Sequence, residues 1–549
     1  MVYKKEAWPM KKKLQMVVAL VLVLCILLTG CSGVDFMGYF QQILQMAFGG
    51  YLTNFADMEY TRPDVENLQK VVDECCQKVA EAKTLNALVT IIYEAYEPID
   101  AFSTAYALSN IYYCKDLTDT YWADEYAFCS ENVGIAQAAL DQFYRALAKT
   151  KFREELESDQ YFGADFFDKY EGDSFYDDVF TNLLAEEAAL ESQYYALWNE
   201  AGELDPYSQE FYDTYGTSME QLYVELIAVR QEMAEYLGYE SYPEFAYDYY
   251  YGRDYTCDQA ASYLADIRAE LVPLYTQMAE NGLDFTLEPS DGAATLEYVK
   301  QMAYAMDGTM RYAYDDMISH KLYDVDYSPN KYGATFEVFI SGYYSPYIFL
   351  NPTLSERDKL SFTHEFGHFC ADYANSGSAA GVDVAEVFSQ SMEYLSLLYV
   401  EDTGNLEKMR MVDSLSVFVE QSAYASFEQQ VYDLEGEELT TENVRALFAQ
   451  VSDAYGFGGL GLDSRIYVLI NHFYTNPLYV ISYVVSNDVA LQIYQLELDE
   501  NGAGLETFEE ALYTRESGIV AFAEGYGLES PFADGRITKI KELLQKALN

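Results

Sequence analysis

Ser361-Phe362-Thr363-His364-Glu365-Phe366-Gly367-His368-Phe369 carries two of the chain's four histidines, four residues apart. On a helix, residues at that spacing lie one above the other, so both imidazoles can reach a single metal ion. The arrangement suits zinc. Glu365 falls about 100° further round the same turn. There it can touch a water on the metal but is badly placed as a ligand beside both histidines, and its chemistry is that of a general base.

The surrounding sequence supports a helix at this place. Thr353-x-x-Glu356, after Asn351-Pro352, has the pattern of a capping box, so the helix is expected over 354–374 with its end at Asn375-Ser376-Gly377. Just upstream, Ala334-Thr335-Phe336-Glu337-Val338-Phe339-Ile340 alternates, Ser341-Gly342 and Ser345-Pro346 punctuate, and Tyr347-Ile348-Phe349-Leu350 follows, together a hairpin leading into the metal helix.

A catalytic zinc site normally has three protein ligands and one open position. The next expected helix, 383–400, carries Glu386, Gln390 and Glu393 on one face. Glu386, 18 residues after His368, suits the third ligand, since a loop and a turn bring a second helix back beside the first. Asp383-x-x-Glu386 equally fits a helix start in which Glu386 only satisfies a backbone donor. Glu393, two turns on, suits holding a ligand imidazole through its other nitrogen.

Elsewhere the periodicity is helical, over 64–82, 176–200, 215–242, 256–280 and 293–306. The expected class is mainly α with a small β-sheet beside the metal helix. No repeat or low-complexity tract interrupts it. The tyrosine-dense stretch 247–255 reads as aromatic packing.

Half of the 549 residues are hydrophobic and 16% aromatic, with 54 tyrosines, so this acidic chain folds. Its net charge of −57 repels nucleic acid and excludes nucleic-acid partners. At the N-terminus, Lys11-Lys12-Lys13, an apolar run over 16–28 and Leu28-Thr29-Gly30-Cys31 have the regions of an export signal, and the apolar run is short for a membrane span. Leu-Thr-Gly-Cys resembles the lipobox of bacterial lipoproteins, which implies cleavage before Cys31, a lipid on that cysteine, and an extracytoplasmic protein tied to the cell membrane by lipid alone. Loss of residues 1–30 removes five basic residues and one acid, taking the charge from −57 to −61. Cys75, Cys76, Cys114, Cys129, Cys257 and Cys370 are too few and too irregular for a disulfide framework, and Cys370 reads as core.

His364-Glu365-Phe366-Gly367-His368, followed by Val384-Ala385-Glu386-Val387-Phe388-Ser389-Gln390-Ser391-Met392-Glu393, resembles the oligoendopeptidase F and thimet oligopeptidase group of zinc metallopeptidases. Arg230 to Tyr242, Lys331-Tyr332-Gly333-Ala334, residues 347–351 and His472-Phe473-Tyr474-Thr475-Asn476-Pro477-Leu478-Tyr479-Val480-Ile481-Ser482-Tyr483 are also similar to that group. The likeness is good from about residue 215 onward and only general before it. Two departures stand out: Ala371 where the group commonly has another histidine, and Val485-Ser486 where it often has a glycine or a further tyrosine.

The resemblance implies one zinc ion on His364, His368 and Glu386, with Glu365 as base. It also implies substrate-side roles for His472, Tyr479 and Tyr483. Attack of an activated water on a peptide carbonyl builds negative charge on oxygen, which a Tyr hydroxyl or a His stabilises. The implied molecule is a two-lobed helical metallopeptidase with a deep substrate channel, made of a leader (1–30), an N-terminal helical lobe (31–214) and a catalytic domain (215–549). Its implied substrates are oligopeptides, with the hairpin edge near 347–350 accepting their backbone. The competing readings are a peptide-capturing lipoprotein, which has no need of Glu365, and a zinc carboxypeptidase of similar build.

Overall fold

The computed structural model describes residues 52–548 apart from 159–160, 164–165, 172–175, 203, 283–285, 378–379, 459–460 and 462. The expected leader and Cys31 lie outside the described residues. Among the described residues the chain is mainly helical with one three-stranded sheet, as its periodicity led us to expect. No helix among them is long and apolar enough to cross a membrane.

The helices needed below are α1 (Val65–Glu81), α2 (Leu85–Lys115), α3 (Thr120–Ala148), α4 (Asp178–Ala201), α5 (Thr217–Leu237), α6 (Gly292–Met306), α7 (Gly308–His320), α8 (Arg357–Asn375), α9 (Val382–Tyr399), α10 (Leu406–Ser416), α11 (Asn471–Thr475) and α12 (Ile481–Asp499). The strands are β1 (Tyr323–Asp324), β2 (Thr335–Ile340) and β3 (Ser345–Leu350). Expected helices 64–82, 176–200, 293–306 and 383–400 are α1, α4, α6 and α9 to within two residues at each end. The expected helix 256–280 is two, Cys257–Glu270 and Val272–Asn281, because Pro273 cannot donate into a continuous ladder. Helix α7 was not anticipated.

The chain forms two compact units, one of residues 70–97 and 140–173, the other of 52–69, 98–139 and 174–549. In the first, Val72, Cys75 and Val79 of α1 and Leu88, Ile91 and Ala95 of α2 recur at helical spacing and are buried. Phe162, Phe166 and Phe167 cluster there with Tyr144 and Tyr170. The six cysteines in the described residues are free.

The second unit contains the sheet and the metal-helix motif. Strand order is β1-β3-β2, with β2 antiparallel and β1 parallel to β3. All six residues of β3 are buried, in keeping with the apolar run Tyr347 to Leu350, whereas β2 is half-buried throughout until the buried Ile340, so the alternation expected of it does not appear in its burial. This corrects one expectation: with partners on both sides, residues 347–350 cannot accept a further strand, and the open edge on the hairpin side belongs to β2. Lys331 fastens the sheet from beneath, its buried Nζ donating to Asp324 Oδ1 at 2.8 Å, Asp326 O at 2.6 Å and Leu350 O at 2.9 Å.

Helix α8 begins at Arg357, three residues later than the capping-box pattern indicates. The Asp358 carboxylate, not Glu356, gathers the local donors: the N–H and hydroxyl of Thr353 and the N–H of Ser355. Leu354 is left-handed at φ 61°, so the helix cannot include it. Its end falls as expected, with Ser376 at φ 56° and Gly377 at φ 97° turning the chain away.

Candidate metal centre

Helix α9 packs against both α8 and α12 in the core of the second unit, and Phe362, Phe366, Phe369, Val384, Val387, Phe388, Val484 and Val485 of the three helices are buried. The functional side chains lie where these three helices present polar groups to a common point. The His364 and His368 rings are 5.1 Å apart at 80° to each other. Glu386 Oε2 lies 3.3 Å from His364 Nε2 and 3.8 Å from His368 Nε2. One donor atom from each of the three falls within 4.8 Å of the others, a group able to hold a metal ion. Glu386 thus joins the imidazoles, its two oxygens accepting from the Tyr479 and Ser389 hydroxyls and not from the first N–H groups of α9.

The remaining contacts orient the three donors. Glu393 Oε1 accepts from His364 Nδ1 at 2.8 Å, which turns Nε2 toward Glu386. Arg410 of α10, which the sequence reading did not single out, pairs with Glu393 Oε2 at 2.9 Å. Ser389 Oγ donates to Glu386 Oε2 at 2.9 Å, and the Tyr479 hydroxyl to Glu386 Oε1 at 2.7 Å. Gln390 turns to the third helix, donating to Tyr483 O at 3.0 Å and Ser486 Oγ at 2.7 Å.

Burial and neighbouring charge tune the groups. Burial raises the Glu365 pKa to about 7, with His364 opposing and Glu386 adding to the rise. Burial alone would also lift Glu386, but its bond to His364, the charges of both histidines and the Tyr479 bond bring it down to about 2. Burial lowers His368 to about 4, so that imidazole is neutral at physiological pH. Burial works against charge on His364 as well, yet its bonds to Glu386 and Glu393 outweigh that and hold its pKa high. Two imidazoles and an ionised carboxylate, with the Nδ1 of one imidazole held by Glu393 and its Nε2 aimed at the carboxylate, are a donor set that fits a divalent cation, which takes the place of the Nε2 proton.

His472, Tyr479 and Tyr483 come together as the sequence suggested. Tyr483 Oη lies 3.3 Å from His472 Nε2, and the Tyr479 and Tyr483 rings are 5.3 Å apart. Burial first, then Glu386, pushes both phenols well above their ordinary range, so both remain protonated donors. Burial lowers the His472 pKa. The site is therefore of the His-Glu-x-x-His class, two imidazoles and a carboxylate from a neighbouring helix, carried on a mainly helical fold.

Comparison with known proteins gives a sequence match near the N-terminus and a likeness of fold over most of the chain. Residues 55–174 match the sequence family described as the Peptidase M3 N-terminal domain. The match falls where the likeness read from the sequence is only general. No curated protein matches the chain. Among solved structures, one described as a candidate oligoendopeptidase F shares the fold with a TM-score of 0.82 at 22% identity, over 90% of this chain and 98% of the other. Pz peptidase A with an inhibitor gives 0.81 at 20% identity, over 90% and 99%, and a candidate oligoendopeptidase F from Bacillus anthracis gives 0.77 at 22%, over 90% and 98%. Residues 55–174 thus carry the sequence likeness to the Peptidase M3 N-terminal domain, and the chain shares the fold of these solved structures over nine-tenths of its length.

Proposed function

We propose that the protein is a zinc-dependent oligoendopeptidase, with His364, His368 and Glu386 as ligands and Glu365 as general base. The observation that carries this reading is the convergence of those three donors with His364 already oriented by Glu393. Zinc held there supplies Lewis acidity to a water and to the scissile carbonyl. Glu365, whose burial poises it near neutrality, takes a proton from the attacking water and returns it to the leaving amine. His472 and Tyr483 stabilise the oxygen on which charge develops, while Tyr479, already bonded to Glu386, steadies that ligand and adds to the same polar wall.

Oligopeptides are the proposed substrates, their backbone lying along the open edge of β2. The Glu337 backbone, close enough to the Glu365 carboxylate to lower its pKa, supports this, because it puts that strand beside the base. The lipobox-like Leu28-Thr29-Gly30-Cys31 supports an extracytoplasmic enzyme held to the membrane by a lipid on Cys31. Metabolic labelling with a fatty acid, lost in Cys31→Ala, tests that part.

Mass spectrometry of the products from a mixed set of oligopeptides tests the activity, comparing wild type with Glu365→Gln and with chelator-treated protein. Internal cleavage absent from both controls supports the endopeptidase. Release of single C-terminal residues means a carboxypeptidase, and tight binding without cleavage by zinc-loaded wild type means a capture protein.

A further inference from the structure

The tyrosine-dense stretch does more than pack. Its lone cation, Arg253, is buried with its guanidinium carbon 4.3 Å from the ring centres of both Tyr247 and Tyr251 and 5.8 Å from that of Tyr255. From this cage Nη2 donates to Leu478 O at 2.9 Å and Ser482 Oγ at 3.0 Å, and Nε lies 3.5 Å from Asp383 Oδ1. Tyr251 adds a bond from its hydroxyl to Pro477 O at 2.7 Å. Arg253 therefore bridges the first turn of α9, three residues before Glu386, and the segment that carries Tyr479 and Tyr483.

Leu478 is the second half of the observation. It is left-handed at φ 62°, a conformation that a branched, buried side chain adopts only when its surroundings impose it. Its carbonyl is taken by Arg253 and its N–H by the buried Glu428 carboxyl, at 2.7 Å, from helix Ser422–Val431. The next residue is Tyr479, whose hydroxyl reaches Glu386. We propose that Arg253 and Glu428 are positioning residues that clamp Leu478 in its left-handed turn and so aim Tyr479 at Glu386 and Tyr483 at the reacting carbonyl. Neither touches the metal or the substrate. The proposal rests on the peptidase reading only for its effect on turnover.

The test is a double-mutant cycle of Arg253→Met and Tyr479→Phe, read first as zinc affinity by chelator competition and then as kcat and KM. The expected result is about a tenfold loss of zinc affinity and a lower kcat at little-changed KM for Arg253→Met, with almost no further loss of zinc affinity but a further fall in kcat, through Tyr483, when Tyr479→Phe is already present. Additive losses of zinc affinity overturn the proposal. If Arg253→Met does not fold, Arg253→Lys and Glu428→Leu take its place, and wild-type zinc affinity in both folded variants overturns it equally. A wild type that binds zinc but cuts no peptide ends the peptidase reading and leaves this cycle to decide the clamp. Should wild type hold no zinc, crystal structures decide: Leu478 leaving the left-handed region and Tyr479 leaving Glu386 in Arg253→Met support the clamp, and an unchanged turn overturns it.

Discussion

A Cβ at residue 367 would lie 2.6 Å from the Cα of Ser389 and 2.6 Å from the carbonyl oxygen of Phe388. Gly367, between Glu365 and His368, is thus the point where α8 and α9 touch backbone to backbone. That closeness lets Glu386, only three residues before Ser389, meet both imidazoles. Gly367→Ala must push the helices apart, with an expected destabilisation of about 1–3 kcal/mol. Because the displaced helix carries the third donor, zinc affinity should fall with stability. Thermal unfolding and zinc titration of the same sample check both.

Glu393 and Arg410 give a separable prediction. Glu393 holds the His364 ring through Nδ1 and Arg410 holds Glu393, so Glu393→Gln and Arg410→Leu should each weaken zinc binding, by about 10–100-fold for the first. Arg410 is also bonded to Gln390 and Asn487, at 3.4 and 3.2 Å, so its loss should lower the melting temperature more than Glu393→Gln does. Chelator competition and calorimetry measure the two effects.

The two tyrosines should fail differently. Tyr479 spends its proton on Glu386, whereas Tyr483 is held by a longer bond to His472 and is freer to turn toward a developing oxyanion. Tyr483→Phe should therefore lower kcat by about 10²–10³-fold at nearly unchanged KM and zinc affinity. Tyr479→Phe should lower zinc affinity as well as kcat. Equal kinetic and metal-binding behaviour of the two variants would refute the division.

What the sequence disclosed follows from which constraints are local. His364, Glu365 and His368 sit on one helix, so their geometry follows from its period, and Glu386 and Glu393 share a face one loop away. Gly367 was visible as part of the motif, but its close approach depends on a second helix that no local pattern describes. Arg410 carries no signal, since an arginine on a helix is ordinarily solvated. Arg253 offered one, a single cation in a run of tyrosines, but its partners at Asp383, Leu478 and Ser482 lie more than a hundred residues away. The strand β1 escaped notice because two residues show no alternation. The late start of α8 escaped because Asp358 competed with Glu356 for the same donors.

Glu428 supplies a prediction about pH. Burial raises its pKa from 4.5 to about 8, although the Leu478 N–H and the positive charges of Arg230 and Arg253 oppose the rise. A carboxyl whose folded pKa exceeds its unfolded value holds its proton more tightly in the fold. Its contribution to stability is thus complete below pH about 4.5 and is lost as pH rises through about 8. The loss across that window is on the order of 4 kcal/mol. Glu428→Gln keeps an acceptor for Leu478 but has no proton to lose, so its melting temperature relative to wild type should climb between pH 5 and pH 8.5, by roughly a few degrees for a chain of this length. Paired calorimetric scans at the two pH values isolate this one group from the other acids, and a difference that stays constant or falls with pH would show that Glu428 is ionised in the fold.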